Sequence, residues 1–427
     1  MTQAETAAPA QPDPHPSPDA APTAEAQRAL AICNICGYCN GLCAVFDAAR
    51  RRPALTGADL DHLANLCHGC RSCLYDCQYA PPHAFAVNIP QALARVRWRS
   101  YAAHAWPPAL ARLFQRNGWA AALVALLSIL AVVGGVLAVT PAEVLFARHQ
   151  APGAFYRIVP HAVMVAGGVL SLGWSVLAIA VATWRFARRT RGPRSADKTA
   201  AAAPITDRRS GRAASSRAPT ASSPAGRRTH RSSPEHAASS PCRRIDWRGP
   251  VMAARALIRL DNLRGGGPGC HERAGPPSHW RRRLHHSLLA GLLLCFAATL
   301  TALGYHQLLD RAAPYPLLSA PVLLGSVGGL MMLIGVLGLA WLRWRADPAP
   351  LAAETAGADR AALALLLLVT GSGLALLLWR ATPAMGLLLA LHLGAVLALF
   401  LLLPYSRLIH GAYRGVALLH DAQERAR

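Results

Sequence analysis

Charged side chains are scarce in this chain: only 15% of its 427 residues are Asp, Glu, Lys or Arg, while 53% are hydrophobic. The apolar residues come in long blocks that contain almost no charge. A single large soluble core is therefore excluded, and the composition predicts membrane-spanning helices. The segment from Met1 to Ala31 lacks the apolar run of a signal peptide, so we expect the cysteine-rich segment after it to stay in the cytoplasm.

Acidic residues are also few, 21 against 44 Lys and Arg, and the formal net charge is +23. Most of the excess lies in residues 185–283, which hold 23 Lys and Arg against 6 Asp and Glu. Aromatic residues that could stack on bases are sparse there, namely Phe186, Trp247 and Trp280. The charge is typical of a cytoplasmic loop that obeys the positive-inside rule, and it predicts no nucleic-acid partner.

Six apolar blocks are each long enough to cross about 30 Å of hydrocarbon at about 1.5 Å per helical residue. The odd-numbered connections between them are short and carry few charges, whereas Arg343, Arg345, Arg407 and Arg414 flank the other side. The positive-inside rule then predicts a bacterial-type inner (cytoplasmic) membrane with both termini cytoplasmic. The predicted spans are Trp119–Val139, Ile158–Trp184, Leu284–Gln307, Leu317–Leu342, Ala361–Trp379 and Met385–Ile409.

Composition also divides the chain into domains. The predicted order is a disordered tail (1–28), a cysteine-rich domain (29–95), an interfacial connector with aromatic and basic anchors (96–116), two spans (117–184), a basic loop (185–283) with a disordered insertion (190–244), four spans (284–410) and a cytoplasmic tail (411–427).

Eight of the eleven cysteines fall in two runs of the form C-x2-C-x2-C-x3-C. Such a run wraps three corners of a cubane cluster, and in two-cluster ferredoxins its fourth cysteine ligates the other cluster. Disulfides are rare in the cytoplasm, and zinc sites would leave cysteines over. Ala44 and Gln78 stand where ferredoxins usually have proline. This departure concerns the detailed fold of the domain and not the cysteines that bind the clusters. The predicted ligands are Cys33, Cys36, Cys39 and Cys77 for the first [4Fe–4S] cluster and Cys67, Cys70, Cys73 and Cys43 for the second.

Histidines within the apolar blocks are the next candidates, since a histidine in hydrocarbon is costly. His392 and His410 are 18 residues apart, five helical turns, so they would share one face of the sixth span. We predict facing pairs at two depths, His285 with His410 and His306 with His392, that bind one or two haem b groups. For each of these histidines the alternative to haem binding is an ordinary polar contact. The weaker candidates are His161 and His286.

A glycine-rich loop precedes the third span. It predicts either close approach of the backbone to a partner or cofactor, or a flexible loop. It lacks the strand–helix context of a dinucleotide fingerprint. Its residues are Gly265, Gly266, Gly267, Gly269 and Cys270.

These motifs, with Pro314–Leu318 and Thr382–His392, resemble the tricarballylate utilization protein B (CitB/TcuB) family over roughly residues 29–420. The resemblance implies a membrane protein with iron–sulfur clusters and haem b. It implies that the chain reoxidises the FADH2 of a partner dehydrogenase, which converts tricarballylate to cis-aconitate, and passes the electrons to the membrane chain. A related domain in cobalamin-pathway oxygenases is fused to a flavoprotein.

We therefore expect a mainly α protein with a cytoplasmic two-cluster ferredoxin-like domain plus a six-helix transmembrane bundle. Its expected partners are an FAD-dependent dehydrogenase, a membrane quinone and the lipid bilayer. Three alternatives stay open: an electron-transfer partner in cobalamin biosynthesis, a transporter or sensor regulated by iron–sulfur redox state, and a nucleic-acid-binding iron–sulfur protein.

Overall fold

The computed structural model describes residues 21–52, 54–112, 118–149, 151–191 and 248–426. These ranges are mainly helical, and strand-type pairing within them is limited to one isolated bridge between Cys270 and Ser278. Six of the helices described are long and apolar enough to cross a membrane. The predicted mainly α, multi-pass architecture is therefore confirmed. The predicted insertion, 190–244, falls almost wholly outside the described residues.

The cysteine-rich part, residues 21–104, is called the head, and its described residues form five α-helices. They are α1 (Ala21–Cys36), α2 (Ala44–Arg50), α3 (Gly57–Leu66), α4 (Ser72–Tyr75) and α5 (Ile89–His104). The start of α3 is set by a capping box, in which the Thr56 hydroxyl accepts from the N–H of Asp59 and the Asp59 carboxylate accepts from the N–H of Thr56. Leu30, Leu63 and Leu93 are fully buried in one core shared by α1, α3 and α5.

Two predicted boundaries of the head are wrong. The first helix already begins at Ala21, and Ala26 is fully buried, so the disordered tail predicted for 1–28 extends too far. The connector predicted for 96–116 begins inside α5, where Val96 and Tyr101 are fully buried. Its aromatic and basic residues suggested a membrane interface, but Arg97 and His104 are buried in the head and Trp98 packs against its core. Residues 113–117 lie outside the described ranges.

Ten further α-helices follow among the residues that the structure describes. They are α6 (Trp119–Val139), α7 (Ala142–Leu145), α8 (Ala154–Ile158), α9 (His161–Thr190), α10 (Arg248–Arg259), α11 (Trp280–Leu309), α12 (Ala320–Arg345), α13 (Ala356–Trp379), α14 (Met385–Leu402) and α15 (His410–Arg425). The spans are α6, α9 and α11 to α14. Glycines bring α11 and α12 into close contact, since a Cβ on Gly291 would lie 2.6 Å from the carbonyl oxygen of Gly328.

The sixth span ends earlier than predicted. α14 stops at Leu402, a short turn contains Pro404, and a separate helix, α15, starts at His410. Proline lacks an N–H and clashes with the preceding turn, which breaks the helix there. The prediction of one helix over Met385–Ile409 is wrong, and the five-turn argument that put His392 and His410 on one face fails with it.

The helix α15 packs on the head, so the segment predicted as a cytoplasmic tail (411–427) is a structural element. Tyr413 is fully buried and stacks on Tyr101 of α5, with 5.0 Å between the ring centroids. Arg51 of the head forms an ion pair with Asp421. The chain's last helix therefore holds the head against the bundle.

Other contacts place the head at one end of the spans. Asp61 of α3 lies 3.2 Å from Arg189 at the end of α9. The hydroxyl of Tyr75 donates to Asp347, just after α12, over 2.9 Å. The ends of the second and fourth spans and the C-terminal helix thus all meet the head, as an even number of spans requires.

Candidate iron–sulfur and haem centres

The eight cysteines of the two runs form two sets, each lining its own cavity in the head. Cys77, the fourth cysteine of the second run, lies with the first three cysteines of the first run. Cys43, the fourth cysteine of the first run, lies with the first three of the second run, so the fourth cysteines are exchanged. The first set is Cys33, Cys36, Cys39 and Cys77, and Cys73 of the second set also reaches the wall of its cavity. The second set is Cys43, Cys67, Cys70 and Cys73.

Helix ends present these thiols. Cys36 is the last residue of α1, Cys43 precedes α2, and Cys67 follows α3. The turns between them need left-handed backbone at Gly37 (φ 69°) and at Arg71 (φ 68°). Of the three, only Cys43 lies at a helix N-terminus, where free backbone N–H groups and the positive end of the helix dipole suit a negatively charged sulfur; Cys36 and Cys67 lie at C-terminal ends.

The thiols of each set interact electrostatically. Burial, and then the charges of its set partners, raise the pKa of Cys33 to about 12. Burial, and then Cys70 and Cys67, raise the pKa of Cys43 to about 12. The raised pKa values keep these thiols protonated, so a bound cation such as iron would be needed to hold them as thiolates. Within the described ranges no three side chains converge on a single metal-ion position, and each set instead lines a cavity.

The two sets differ in depth. Cys36 of the first set is exposed, whereas Cys67 of the second is buried. Among the charges that raise the pKa of Cys73 in the second set is that of Cys39 in the first, so the sets are neighbours. The first set therefore faces the surface of the head, and the second lies deeper.

The glycine-rich loop lies on the second set. The Ser72 hydroxyl donates to the carbonyl oxygen of Gly269 over 3.3 Å, and the N–H of His271 donates to the carbonyl of Cys70 over 2.9 Å. A Cβ on Gly265 would lie 2.6 Å from the Ser72 Oγ. The backbone of this loop therefore closely approaches the loop that carries the second set, whereas the predicted approach to a partner or cofactor stays a prediction.

The residue Cys270 closes the loop from inside. It is 1% exposed, it packs against Cys70, and its thiol donates to the carbonyl of Leu263 over 3.3 Å. Burial raises its pKa to about 12. These contacts make Cys270 part of the wall beside the second set.

The second set also touches the start of the third span. Arg281, in the first turn of α11, donates to the carbonyl of Gly69 over 2.6 Å and pairs with Glu272. Arg71 donates to the backbone carbonyl of Glu272 over 2.8 Å. Hydrogen bonds therefore connect the loop between Cys67 and Cys70 directly to a membrane helix.

Below this junction, His285 of α11 faces His410 of α15, with 5.8 Å between ring centroids. The two rings are far enough apart for a metal ion between them, so His285 and His410 would be the residues that hold a haem iron. Nδ1 of His410 lies 2.7 Å from the carbonyl oxygen of Arg407. A carbonyl only accepts, so Nδ1 carries the proton and Nε2 keeps the lone pair that a metal needs.

At the opposite end of α11, His306 does not pair with His392. The ring beside His306 is that of His161, with 3.7 Å between centroids, and Tyr156 stands edge-on to both at 5.1 Å. The predicted pairing of His306 with His392 is therefore wrong. His161, the weaker candidate, starts α9 at the end where α11 finishes, and periodicity within one helix cannot show that. The two rings are tilted by 37° and in contact, so they leave no space for an iron between them.

The other two candidates have protein partners. Nδ1 of His392 lies 3.1 Å from the Ser372 hydroxyl of α13, and its ring lies against Gly373. His286 is half-buried, with Nε2 3.0 Å from the carbonyl oxygen of Ile258 on α10. His286 thus contacts a surface helix, although it is next to His285 in the chain.

Two residues near the inner pair were missed by the sequence analysis. Arg414 follows His410 by four residues on α15 and donates to the carbonyl of Cys67 over 3.2 Å. His68 follows Cys67 directly, with Nδ1 2.7 Å from the carbonyl oxygen of Leu66. The i, i+4 spacing from His410 was the available signal for Arg414. This spacing is informative only if residues 410–414 form a helix, and the sequence analysis predicts a tail from residue 411 onward.

Comparison with known proteins agrees with this division of the chain. The family model described as the Fer4-like domain of citrate utilization protein B matches residues 26–103. The model of citrate utilization protein B itself matches residues 112–233 and 230–427. A protein named citrate utilization protein B from Escherichia coli is 37% identical over 411 residues, which cover 95% of this chain and 93% of that protein. No solved structure matches the chain.

Proposed function

Because the chain belongs to the citrate utilization protein B family, whose Fer4-like domain indicates iron–sulfur electron transfer, we propose a membrane-bound carrier that reoxidises the FADH2 of a partner dehydrogenase. The electrons leave through two [4Fe–4S] clusters and haem b for the quinone pool. The partner we propose is tricarballylate dehydrogenase. Both termini would lie in the cytoplasm, with the spans in the inner membrane.

The observation that carries the proposal is the continuous connection from the exposed thiol set to the inner histidine pair. The first set opens at the surface through Cys36, where a flavoprotein can approach. The second set lies behind it, hydrogen-bonded through Gly69 to Arg281 at the start of α11. One helical turn further along α11 is His285, facing His410.

When bound, the clusters and the haem supply one-electron redox chemistry, and the chain positions them. The two cysteine sets hold four thiolates each, and the glycine-rich loop covers the second set. His285 and His410, whose ring centroids lie 5.8 Å apart, would hold the haem. The chain thus arranges redox centres from the aqueous side into the bilayer.

The contact between His161 and His306, at the opposite end of α11 from His285, favours one haem per chain. His161 and His306 are in direct ring contact, so a haem there would first have to push them apart. We therefore assign the haem to His285 and His410.

The test is a pyridine haemochrome assay and a dithionite-reduced minus oxidised spectrum of the purified full-length protein in detergent. We expect one haem b per chain and a broad iron–sulfur absorbance, with about eight iron atoms in clusters. The variants His285→Ala and His410→Ala should lose the haem band and keep the cluster iron. The matched control is His286→Ala, next to His285 but bonded to Ile258, and it should keep the haem.

The outcomes separate the alternatives. Haem that survives in both His285→Ala and His410→Ala but is lost in His306→Ala would move the site to the outer pair. Clusters without any haem would leave the bundle as an anchor, a quinone site or part of a sensor. Reduction of the haem by reduced tricarballylate dehydrogenase, measured by stopped-flow absorbance, tests the partner, and no reduction would favour the flavoprotein of a cobalamin pathway.

A further inference from the structure

We propose that Arg414 binds a propionate carboxylate of the haem, between the second cysteine set and the His285–His410 pair. The inference rests on the proposed function, because it takes the haem to lie at that pair.

The position of Arg414 is fixed from both sides. It lies one turn after His410 on α15, and residues four apart share a helix face. Its Nη2 donates to the carbonyl of Cys67 over 3.2 Å. The guanidinium therefore lies where the head, α15 and the start of α11 meet. The guanidinium is also close enough to His68, His285 and His410 for its charge to affect all three rings.

The charge of Arg414 lacks a counter-charge in the part of the chain that the structure describes. No carboxylate lies within 4.0 Å of it there, and its Nε is buried without a hydrogen-bond partner. Arg407, the other half-buried arginine beside His410, pairs with Asp359 over 3.0 Å.

A buried cation is costly unless an anion pairs with it. The anion has to reach a site beside two histidines whose rings are spaced for a metal. Haem b carries two carboxylates on one edge, and the forked guanidinium of arginine matches a carboxylate through two parallel hydrogen bonds. A haem held by His285 and His410 can therefore supply the missing partner of Arg414 and gain a link to the loop of Cys67.

The test uses the full-length protein with Arg414→Gln, which removes the charge and keeps most of the volume. Three quantities are measured: the rate of haem transfer to apomyoglobin, the midpoint potential of the haem, and the redox-difference infrared bands of haem labelled with 13C at its propionates. We expect haem loss roughly tenfold faster, as the loss of one charge-assisted hydrogen bond predicts. We also expect a lower midpoint potential and a shifted carboxylate band.

The control is Arg95→Gln, which removes an arginine charge from the same head where it pairs with exposed Glu354. It should leave all three measurements at the wild-type values. If Arg414→Gln does not fold, Arg414→Lys takes its place, because it keeps the charge but loses the fork, and a shifted propionate band is again expected.

Wild-type haem transfer, potential and propionate bands in a folded Arg414 variant would overturn the inference while leaving the haem assignment intact. A wild-type protein without haem would overturn the proposed function instead. The two failures are therefore distinguishable.

Discussion

Replacing Gly265 with alanine should release the glycine-rich loop from the second cysteine set. Gly265 has a φ of 57°, and a Cβ there would overlap the carbonyl oxygen of Gly269 and lie 2.6 Å from the Ser72 Oγ. The left-handed backbone alone costs alanine about 1–2 kcal/mol. The overlap with backbone also forces the loop to move.

The movement breaks at least two contacts. These are the 3.3 Å hydrogen bond from Ser72 to Gly269 and the 2.9 Å bond from the N–H of His271 to the carbonyl of Cys70. At about 1 kcal/mol each, they bring the expected destabilisation of Gly265→Ala to about 3–4 kcal/mol. We expect this loss to appear as lower iron and acid-labile sulfide in the second set.

The matched control is Gly41→Ala. Gly41 is also in the head with a positive φ, 80°, but nothing lies within 4 Å of a Cβ there. It should therefore lose only the backbone cost, about 1–2 kcal/mol. The assay is thermal unfolding of the head in detergent, followed by near-ultraviolet circular dichroism, together with iron and sulfide analysis. Equal unfolding temperatures and full iron in both variants would refute the packing argument.

Three further predictions concern the head and its attachment. Asp61→Ala removes the buried carboxylate that pairs with Arg189. Because Arg189 is half-exposed, we expect the free energy of unfolding to fall by about 2 kcal/mol. An unchanged thermal unfolding transition would contradict this expectation. Burial lowers the pKa of His62 and lowers that of His420 to about 4, so both are neutral in the folded head. The unfolded histidines bind protons more tightly, so stability is complete above about pH 6.5 and falls as the pH drops toward 4, by up to about 1.4 kcal/mol per pH unit and histidine. His420→Gln should flatten that dependence in unfolding measured from pH 7 to 4.5, and an equally steep curve would count against it. Iron removal by a chelator under reducing, oxygen-free conditions should unfold the head while the far-ultraviolet signal of the spans stays, because metal binding stabilises the folded cysteine sets; a head that melts unchanged after complete iron removal would disprove this.

The parts of the structure that follow from local pattern were predictable. Uncharged runs of this length can satisfy their backbone in a membrane only as helices, so α6 was predicted with its observed ends, Trp119 and Val139. The spacing of the cysteines likewise implied that Cys43 and Cys77 exchange places, because the geometry of a short loop depends on few residues.

The parts that depend on contacts between distant elements were not predictable. Proline at position 404 was visible, but only the folded chain shows that α15 leaves the membrane and packs on α5 through Tyr413. The partner of His306 was mistaken because ring pairing depends on how α9 meets α11, and no periodicity within one helix contains that information.

The sequence by itself determined the six spans, the two cysteine runs and the excess of positive charge on one side, because each follows from local composition or spacing. Only the tertiary structure decided that the glycine-rich loop covers the second cysteine set, and that Arg414 lies beside the predicted His285–His410 pair without a carboxylate partner in the described part of the chain. Those residues are far apart in sequence, and their side chains meet only when the head, α11 and α15 pack together.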